Sequence, residues 1–285
     1  MQVRWWRRAD VVARGKRPDE SGRCRHECLR HIVACLLALS CTAVAADLRV
    51  CADPDNLPFS NSHEQGFENE LARYVGRQLD RPVHYVWVPQ REKFFKALAA
   101  GACDLAMEAP ANYPGVQTTR PYYRSTYVFV SRRDRRLGIR SFDDPRLKTL
   151  RIGVQVMGAD DAAAPPAEAL TARGMIRNVT WYRLYRNYLS ANHPEELVDA
   201  VERGDVDVAI AWGPLVGYFA KKSATPLEVT PVSPRAERSI PFTFAISMAV
   251  RRDDAKLAAQ LNSILERHGA QVRAILSKYG VPLLE

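Results

Sequence analysis

Through most of the chain, short apolar runs alternate with stretches whose apolar residues recur every three or four positions. The runs at 48–53, 83–88 and 103–108 have strand length and are bounded by turn residues, so they are predicted to be β-strands. The stretches 67–79 and 94–98 have helical spacing and are predicted to be helices with one apolar face. This alternation is typical of a parallel sheet covered by helices.

The stretch 101–130 is the part of the chain around which the predicted fold is organised. Its strand at 103–108 is followed by the loop 109–119, which is rich in Pro, Gly and Asn and is therefore not helical. The next strand, 122–131, is dense in aromatic and β-branched residues and leads into the charged run 132–136. We interpret this strand as a crossing between two lobes, with the loop before it facing the cleft between them.

A second αβ series follows the crossing and resembles the first. It is predicted to contain strands at 150–154, 179–184 and 207–212 and helices at 165–170 and 193–201, the latter starting at His193-Pro194. In both series a helix ends in a glycine turn followed by an aspartate and an apolar strand, at Gly101 to Asp104 and at Gly204 to Asp207. This repetition favours two similar lobes.

The tail adds a predicted strand at 242–250 and two helices, one from Asp253 and one around Val272. Because the second sheet is complete without them, the tail is predicted to return to the first lobe. The expected division is a signal peptide at 1–46, lobe 1 at 47–133 and 239–285, and lobe 2 at 134–238, with two strands as the hinge.

Residues 1–46 have the order of a secretory signal peptide, with an Arg-rich start, an apolar middle and small residues before a cleavage site at Ala45 or Ala46. The apolar run is too short for a permanent bilayer span, although an uncleaved anchor is the alternative. The segment carries nine Lys/Arg and four Asp/Glu, so its removal lowers the net charge from +9 to +4. A nucleic-acid partner thereby loses its main support, and we expect a periplasmic protein without stable membrane insertion.

Four of the six cysteines lie in this segment, which leaves Cys51 and Cys103 in two predicted strands. An exported protein with an even pair permits a disulfide. Two buried free thiols are the alternative, because geometry decides between them.

Aromatic side chains are the most informative candidates for function. The set consists of Phe59, Trp87, Tyr113, Tyr127, Trp212 and Tyr218. Four of these six lie at or just after the carboxyl ends of predicted strands, where ligand crevices form in open α/β sheets. They predict a wide apolar cleft for a hydrophobic ligand or a segment of a protein partner, with ordinary core packing as the alternative for each ring.

The carboxylates Asp53, Asp104 and Glu108 could be imagined as an acid/base set. Structural roles are favoured for the first two, as a loop anchor and a cap at a strand entry. The histidines are scattered without metal-ligand spacing, and no phosphate-binding glycine loop is present in the sequence. We therefore expect no metal and no cofactor.

Several segments resemble the bacterial periplasmic solute-binding proteins of the amino-acid-receptor type, among them LRVCADPDNLPFS, GFENELARYVGRQL, LRIGVQVMG and the closing ILSKYGVP. The segments RPYYRSTYVF and WGPLVGYFAK resemble most the branch associated with PQQ-dependent quinoprotein dehydrogenases, the MoxJ/XoxJ type, and the similarity covers nearly all of 48–284. The resemblance implies an α/β, two-lobed periplasmic-binding-protein fold (type II). It also implies an accessory role beside a methanol or alcohol dehydrogenase.

The chain departs from amino-acid receptors where they hold the ligand. After the strand at 103–108, such receptors place hydroxyls and an Arg for the ligand carboxylate, whereas this chain has Ala109-Pro110-Ala111-Asn112 and Val116. The Asp that holds the ligand ammonium falls here on Trp212. Since a buried ion without a partner costs several kcal/mol, a free amino acid is not the expected ligand.

The residues predicted to bind a ligand or a partner segment are Asp53, Asn56, Phe59, Glu108, Tyr113, Gln155, Trp212 and Tyr218. The first hypothesis is a non-enzymatic accessory protein whose lobes close around a segment of a quinoprotein alcohol or methanol dehydrogenase. The second is a receptor that delivers a small solute to an ABC permease. The third is an enzyme of the dehydratase or lyase type that depends on Glu108.

Overall fold

The computed structural model describes residues 46–89, 93–156, 164–184 and 195–285. Residues 1–45 of the predicted signal peptide and the predicted helix start at His193-Pro194 lie outside the described residues. Within these ranges, no helix combines the length and the apolar character that crossing a membrane requires.

Strands and helices alternate along most of the described chain. The strands are β1 (Leu48–Ala52), β2 (Asp55–Asn56), β3 (Ser60–Asn61), β4 (Val83–Trp87), β5 (Leu105–Pro110), β6 (Gln117–Thr118), β7 (Tyr123–Arg132), β8 (Ile152–Val156), β9 (Val179–Arg183), β10 (Val208–Trp212), β11 (Leu227–Pro231), β12 (Ala236–Glu237), β13 (Ile240–Pro241) and β14 (Thr243–Val250). The helices are α1 (Phe67–Gln78), α2 (Phe94–Ala99), α3 (Pro165–Thr171), α4 (Glu196–Arg203), α5 (Gly213–Lys222), α6 (Ala255–Arg267) and α7 (Gly269–Lys278).

The first lobe is built around β1, whose neighbours β4 and β5 both run parallel to it. Strand β14 pairs antiparallel with β5, which gives the order β4-β1-β5-β14. Helix α1 buries Phe67, Leu71 and Val75, the apolar face that the helical spacing predicted.

The second lobe repeats this arrangement. Its order is β9-β8-β10-β7, with the first three strands parallel and β7 antiparallel to β10. The register repeats as well, because Val50 lies opposite Leu105 in the first lobe and Ile152 lies opposite Val208 in the second. Two similar αβ series therefore form two similar half-sheets.

Strand β7 belongs to both half-sheets. Its first part pairs with β14, with Thr126 opposite Thr243, and its second part pairs with β10 and β11 on either side of Val130. The two lobes consequently share one curled, ten-stranded mixed sheet, in which β7 and β14 form the predicted two-strand crossing. The residue limits given above for the lobes stay a prediction.

The repeated aspartates perform the same structural task in each lobe. Asp104 accepts hydrogen bonds from the backbone N and the guanidinium Nη2 of Arg49 at 3.1 and 2.7 Å, and Asp207 accepts the same pair from Arg151 at 2.9 and 2.9 Å. The guanidinium of Arg151 lowers the pKa of Asp207 to about 2. Burial opposes ionisation of Asp104, but the bonds from Arg49 and Arg251 lower its pKa nonetheless. Asp104 thus links the start of β5 to the start of β1, and Asp207 links the start of β10 to the start of β8.

Helix α5 and strands β11 and β12 of the second lobe were not predicted. The sequence reading ended the strand at Gly213-Pro214, but Pro214 lies in the first turn of α5, where its missing N–H costs nothing. Gly213 and Gly217 each lower the helix propensity by about 1 kcal/mol relative to Ala, which hides this helix from a propensity argument. Tertiary contacts account for both glycines.

Helix α5 packs tightly against the C-terminal tail. A Cβ atom on Gly217 would lie 2.2 Å from the carbonyl oxygen of Gly280, so only glycine allows this approach. Beside it, Tyr218 stacks on Tyr279 with ring centroids 5.7 Å apart, and Lys221 donates to the last two carbonyls of α7 at 3.0 and 3.1 Å. We refer to the contact of Gly217, Tyr218 and Lys221 with Ser277–Gly280 as the α5-tail seam. Because α7 packs on α1, the seam ties the second lobe to the first.

A disulfide joins Cys51 of β1 to Cys103 just before β5. Both cysteines are buried in a cluster that includes Phe94 and Leu98 of α2. Of the two alternatives that the sequence leaves open, the structure contains the bonded pair.

Candidate functional site

A cavity of about 240 Å³ lies where the carboxyl ends of β5, β8 and β10 meet the crossing strands. The described residues that line it are Asn56, Phe59, Glu108, Pro110, Tyr127, Gln155, Pro165, Leu184, Trp212, Leu215, Phe244 and Ile246. They come from both half-sheets and from β7 and β14, so the cavity lies between the lobes.

Three aromatic rings form one wall of this cavity. Tyr127 of β7 lies directly opposite Trp212 of β10 in the sheet register, and Phe244 comes from β14 on the other side of β7. The ring centroids lie 5.6 Å (Tyr127 to Trp212), 5.8 Å (Trp212 to Phe244) and 6.4 Å (Tyr127 to Phe244) apart, all in edge-to-face geometry. Such pairs add stability beyond their buried area. The crossing of the two strands therefore sets a packed aromatic wall.

Two buried polar side chains interrupt the apolar lining. Gln155, at the end of β8, is 4% exposed, and its side-chain oxygen accepts a hydrogen bond from the backbone N of Trp212 at 2.9 Å. This bond fixes the start of α5. Because the side-chain oxygen of Gln155 is used, its amide NH₂ is the group that can donate to a bound ligand. Glu108, near the end of β5, is also 4% exposed and is the one Asp or Glu among the described lining residues.

The loop that contributes Asn56 and Phe59 is held by hydrogen bonds around Asp53. A carboxylate oxygen of Asp53 accepts from the backbone N of Asp55 at 2.9 Å, and the hydroxyl of Ser60 donates to the carbonyl of Asp53 at 2.9 Å. Phe59 is 5% exposed and packs on Phe67 of α1 with ring centroids 5.2 Å apart. The short hairpin of β2 and β3 thereby presents one amide and one ring to the cavity.

The structure brings together five of the eight residues predicted for the site. These are Asn56, Phe59, Glu108, Gln155 and Trp212. Asn56, Phe59 and Trp212 lie at or after the carboxyl end of a parallel strand. Gln155 lies one residue before the end of β8, and Glu108 lies two residues before the end of β5. That placement is the rule on which the prediction depended.

Asp53, Tyr113 and Tyr218 are not among the residues that line the cavity. Asp53 instead anchors its loop, as just described. Tyr113 stacks on Phe95 of α2 at 4.1 Å, because the loop after β5 folds back over that helix. Tyr218 points into the α5-tail seam, which the sequence did not foresee because α5 was not predicted.

Seven lining residues were not among the eight predicted for the site, most clearly Phe244 and Ile246 of β14. The prediction placed cleft residues at the carboxyl ends of strands, but β14 runs antiparallel to β5, so its first residues lie beside the cavity. Ile246 lies opposite Pro110 at the end of β5. The alternation of positions 244 and 246 on one face was a usable signal. Pro165, Leu184 and Leu215 were missed with them.

The arrangement favours binding over catalysis. An acid/base pair needs two titratable groups in one pocket, whereas Asp104 is engaged by arginines and Asp53 by its own loop. In the part of the chain that the structure describes, no group of three or more His, Cys, Asp or Glu could hold a metal ion. An apolar pocket with a few fixed polar groups is typical of a recognition site.

Comparison with known proteins shows the family to which the chain belongs. Residues 85–281 match the family model described as bacterial extracellular solute-binding protein. Protein MoxJ of Methylorubrum extorquens AM1 is 33% identical, with 84% of this chain and 82% of MoxJ aligned. The chain belongs to this solute-binding family and is MoxJ-like. Protein MoxJ of Paracoccus denitrificans is 28% identical, with 88% of this chain and 95% of that protein covered.

Solved structures of the same group resemble this MoxJ-like chain over almost their whole length. The crystal structure of MxaJ from Methlophaga aminisulfidivorans MPT has a TM-score of 0.74 at 28% identity, covering 83% of this chain and 100% of MxaJ. The periplasmic binding protein XoxJ from Methylobacterium extorquens AM1 has a TM-score of 0.68 at 33% identity, covering 84% and 99%. The α/β, two-lobed fold and the MoxJ/XoxJ-like assignment made from the sequence are confirmed.

Proposed function

We propose that this chain is a periplasmic, non-catalytic accessory protein of a PQQ-dependent methanol or alcohol dehydrogenase, and that its interlobe cavity binds a segment of that enzyme. The observation that carries the proposal is the lining of the cavity, which consists of rings, prolines and aliphatic side chains with three polar residues. The MoxJ-like group supports the choice of partner. The proposed mechanism is closure of the lobes about β7 and β14 around the bound segment.

The charges of the cavity argue against a free amino acid. No Arg or Lys occurs among the described residues that line it, so none of these residues offers a cation to a ligand carboxylate. Trp212 stands where an amino-acid receptor would offer an aspartate to the ammonium group. Burying a zwitterion in such surroundings costs several kcal/mol per ion, which exceeds what the apolar contacts of a small amino acid return.

The second candidate is a receptor that passes a small, non-amino-acid solute to an ABC permease. Membership of the solute-binding family favours it. Gene neighbourhood distinguishes the two candidates, because permease and ATPase genes would favour a receptor, whereas dehydrogenase and cytochrome genes would favour the accessory role.

A pair of tryptophan variants tests the accessory role. Trp212→Ala removes the centre of the aromatic wall, and we expect it to weaken capture of the purified dehydrogenase at least about thirtyfold, the effect of losing a buried aromatic anchor. Trp181→Ala is the matched control, because Trp181 is 47% exposed on the edge strand β9, and it should leave capture unchanged. Both dissociation constants are measured on immobilised dehydrogenase, after thermal unfolding has shown that the variants are folded. Equal losses of affinity for the dehydrogenase in the two variants would contradict the proposal. Tight binding of a small metabolite without capture of the dehydrogenase would also contradict it.

A further inference from the structure

The last residues of the chain contact both lobes. On the side of the first lobe, the hydroxyl of Tyr279 donates to the carbonyl of Gln65 at 2.8 Å, and Lys278 forms an ion pair with Glu70 of α1 at 2.7 Å. On the side of the second lobe, the α5-tail seam joins the same segment to α5. The last turn of α7 and the tail after it therefore bridge the two lobes.

The tail also runs along β7, the strand that both half-sheets share. Ser125 donates its hydroxyl to the carbonyl of Pro282 at 2.6 Å, and the backbone N of Leu284 donates to the carbonyl of Arg124 at 2.9 Å. Both of these β7 residues belong to the part that pairs with β14. Pro282 also packs on the start of α5, where a Cβ atom on Gly213 would lie 2.8 Å from its ring. The tail is thus a third, non-covalent connection between the lobes, beside the two crossing strands.

The contacts of the α5-tail seam oppose movement of the lobes in two directions. Gly217 and Gly280 approach each other backbone to backbone, so α5 has no room to move closer to the tail. Movement away from the tail would break the two hydrogen bonds from Lys221 and separate the stacked rings of Tyr218 and Tyr279. Hinge strands alone rotate through dihedral changes at a few residues. With the tail in place, one angle between the lobes is favoured.

Helix α5 joins the tail to the cavity. Trp212 and Leu215 at the start of this helix line the cavity, and Gly217 and Tyr218 contact the tail less than one turn further on. Because a short helix moves as a unit, the tail also fixes where Trp212 lies relative to Tyr127 of β7. Release of the tail would therefore change the shape of the cavity as well as the freedom of the lobes.

We propose that residues 277–285 form an interlobe strap, which holds the lobes at one angle and has to be released from α5 before the lobes rotate about β7 and β14. The closure of the lobes around a dehydrogenase segment would then require release of the interlobe strap. That consequence rests on the proposed function, whereas the action of the interlobe strap does not.

Distances between the lobes test the interlobe strap without any partner protein. Spin labels are attached to Lys96→Cys on α2 and Glu168→Cys on α3, two exposed positions with one in each lobe. The mature protein keeps its own cysteines paired in the disulfide, so only the introduced cysteines react. Double electron–electron resonance gives the distribution of the distance between the labels. We expect one narrow distribution while the tail is intact.

Two variants weaken the interlobe strap to different degrees. Deletion of residues 281–285 removes the hydrogen bonds to β7, and we expect the distribution to widen by at least about 2 Å, the scale of a domain rearrangement. Lys221→Met removes only the two hydrogen bonds to the end of α7 and keeps the length of the side chain, so a smaller widening is expected. Lys256→Met is the matched control, because Lys256 is exposed on α6 outside the interlobe strap, and it should leave the distribution unchanged.

Three results would overturn the proposal. A broad or two-peaked distribution with the tail intact would mean that the lobes rotate while the interlobe strap is in place. An unchanged narrow distribution in both the deletion variant and Lys221→Met would mean that other contacts set the angle. If thermal unfolding shows that the deletion variant is not folded, Lys221→Met decides, and a distribution no wider than that of Lys256→Met would overturn the proposal. All distances are measured on this chain alone, so capture of the dehydrogenase or its failure leaves the test unaffected.

Discussion

Gly217→Ala is expected to lower the free energy of unfolding by about 3 kcal/mol, the upper end of the cost of forcing an extra carbon into a packed interior. The new Cβ would lie 2.2 Å from the backbone carbonyl oxygen of Gly280, and a backbone atom in the α5-tail seam cannot rotate away. Helix α5 would have to move as a unit. Because α5 begins directly after Trp212, that movement also displaces one wall of the cavity.

Gly269→Ala is the matched control for this variant. Gly269 is also a helical glycine, but a Cβ there would meet only the flexible end of Arg273, at 3.4 Å. Its replacement should change the free energy of unfolding by less than about 1 kcal/mol, in the stabilising direction given by helix propensity. Equilibrium denaturation in urea compares the two. Similar effects of both substitutions would show that the seam does not hold the lobes together.

Removal of the disulfide is also expected to lower the free energy of unfolding by a large amount. The double variant Cys51→Ala/Cys103→Ala opens a loop with a sequence separation of 52 residues. Loop-closure entropy then predicts a loss of about 4 kcal/mol in the free energy of unfolding. Both sites are buried around α2, so alanine adds no unsatisfied polar group.

Reductant provides the internal check on that variant. Dithiothreitol should lower the denaturation midpoint of the wild-type protein towards that of the double variant and leave the double variant unchanged. A wild-type midpoint insensitive to reductant would mean that the bond contributes nothing to stability.

The sequence predicted the parallel strands and most helices because their signals are local. Continuous apolar runs between turn residues marked β1, β5 and β10, and the 3.6-residue spacing marked α1 and α6. Helix α5 was not predicted, because its two glycines are favoured by contacts with a tail more than sixty residues away in sequence. No local pattern contains that information.

The same distinction explains the candidate site. Asn56, Gln155 and Trp212 could be predicted because loops after parallel strands meet at one edge of a sheet. The alternation of Phe244 and Ile246 places both on one face of their strand, but it does not place that face at the cavity, because this depends on β14 running antiparallel to β5. Tyr218 was assigned to the site from its aromatic character alone, whereas its place is fixed by the stack with Tyr279. The repeated glycine-aspartate pattern, in contrast, has a physical cause. In each lobe the aspartate accepts a hydrogen bond from an arginine, Asp104 from Arg49 and Asp207 from Arg151.

Site-specific photo-crosslinking tests the central claim most directly, namely that the interlobe cavity is where the dehydrogenase binds. A diazirine-bearing amino acid replaces Asn56, a partly exposed polar residue of the lining, or Ile176, which is 51% exposed and is not part of the lining. After irradiation with the purified dehydrogenase, we expect an adduct from position 56 and none from position 176. An adduct from position 176 alone, or a stable complex that gives no adduct from position 56, would contradict the account.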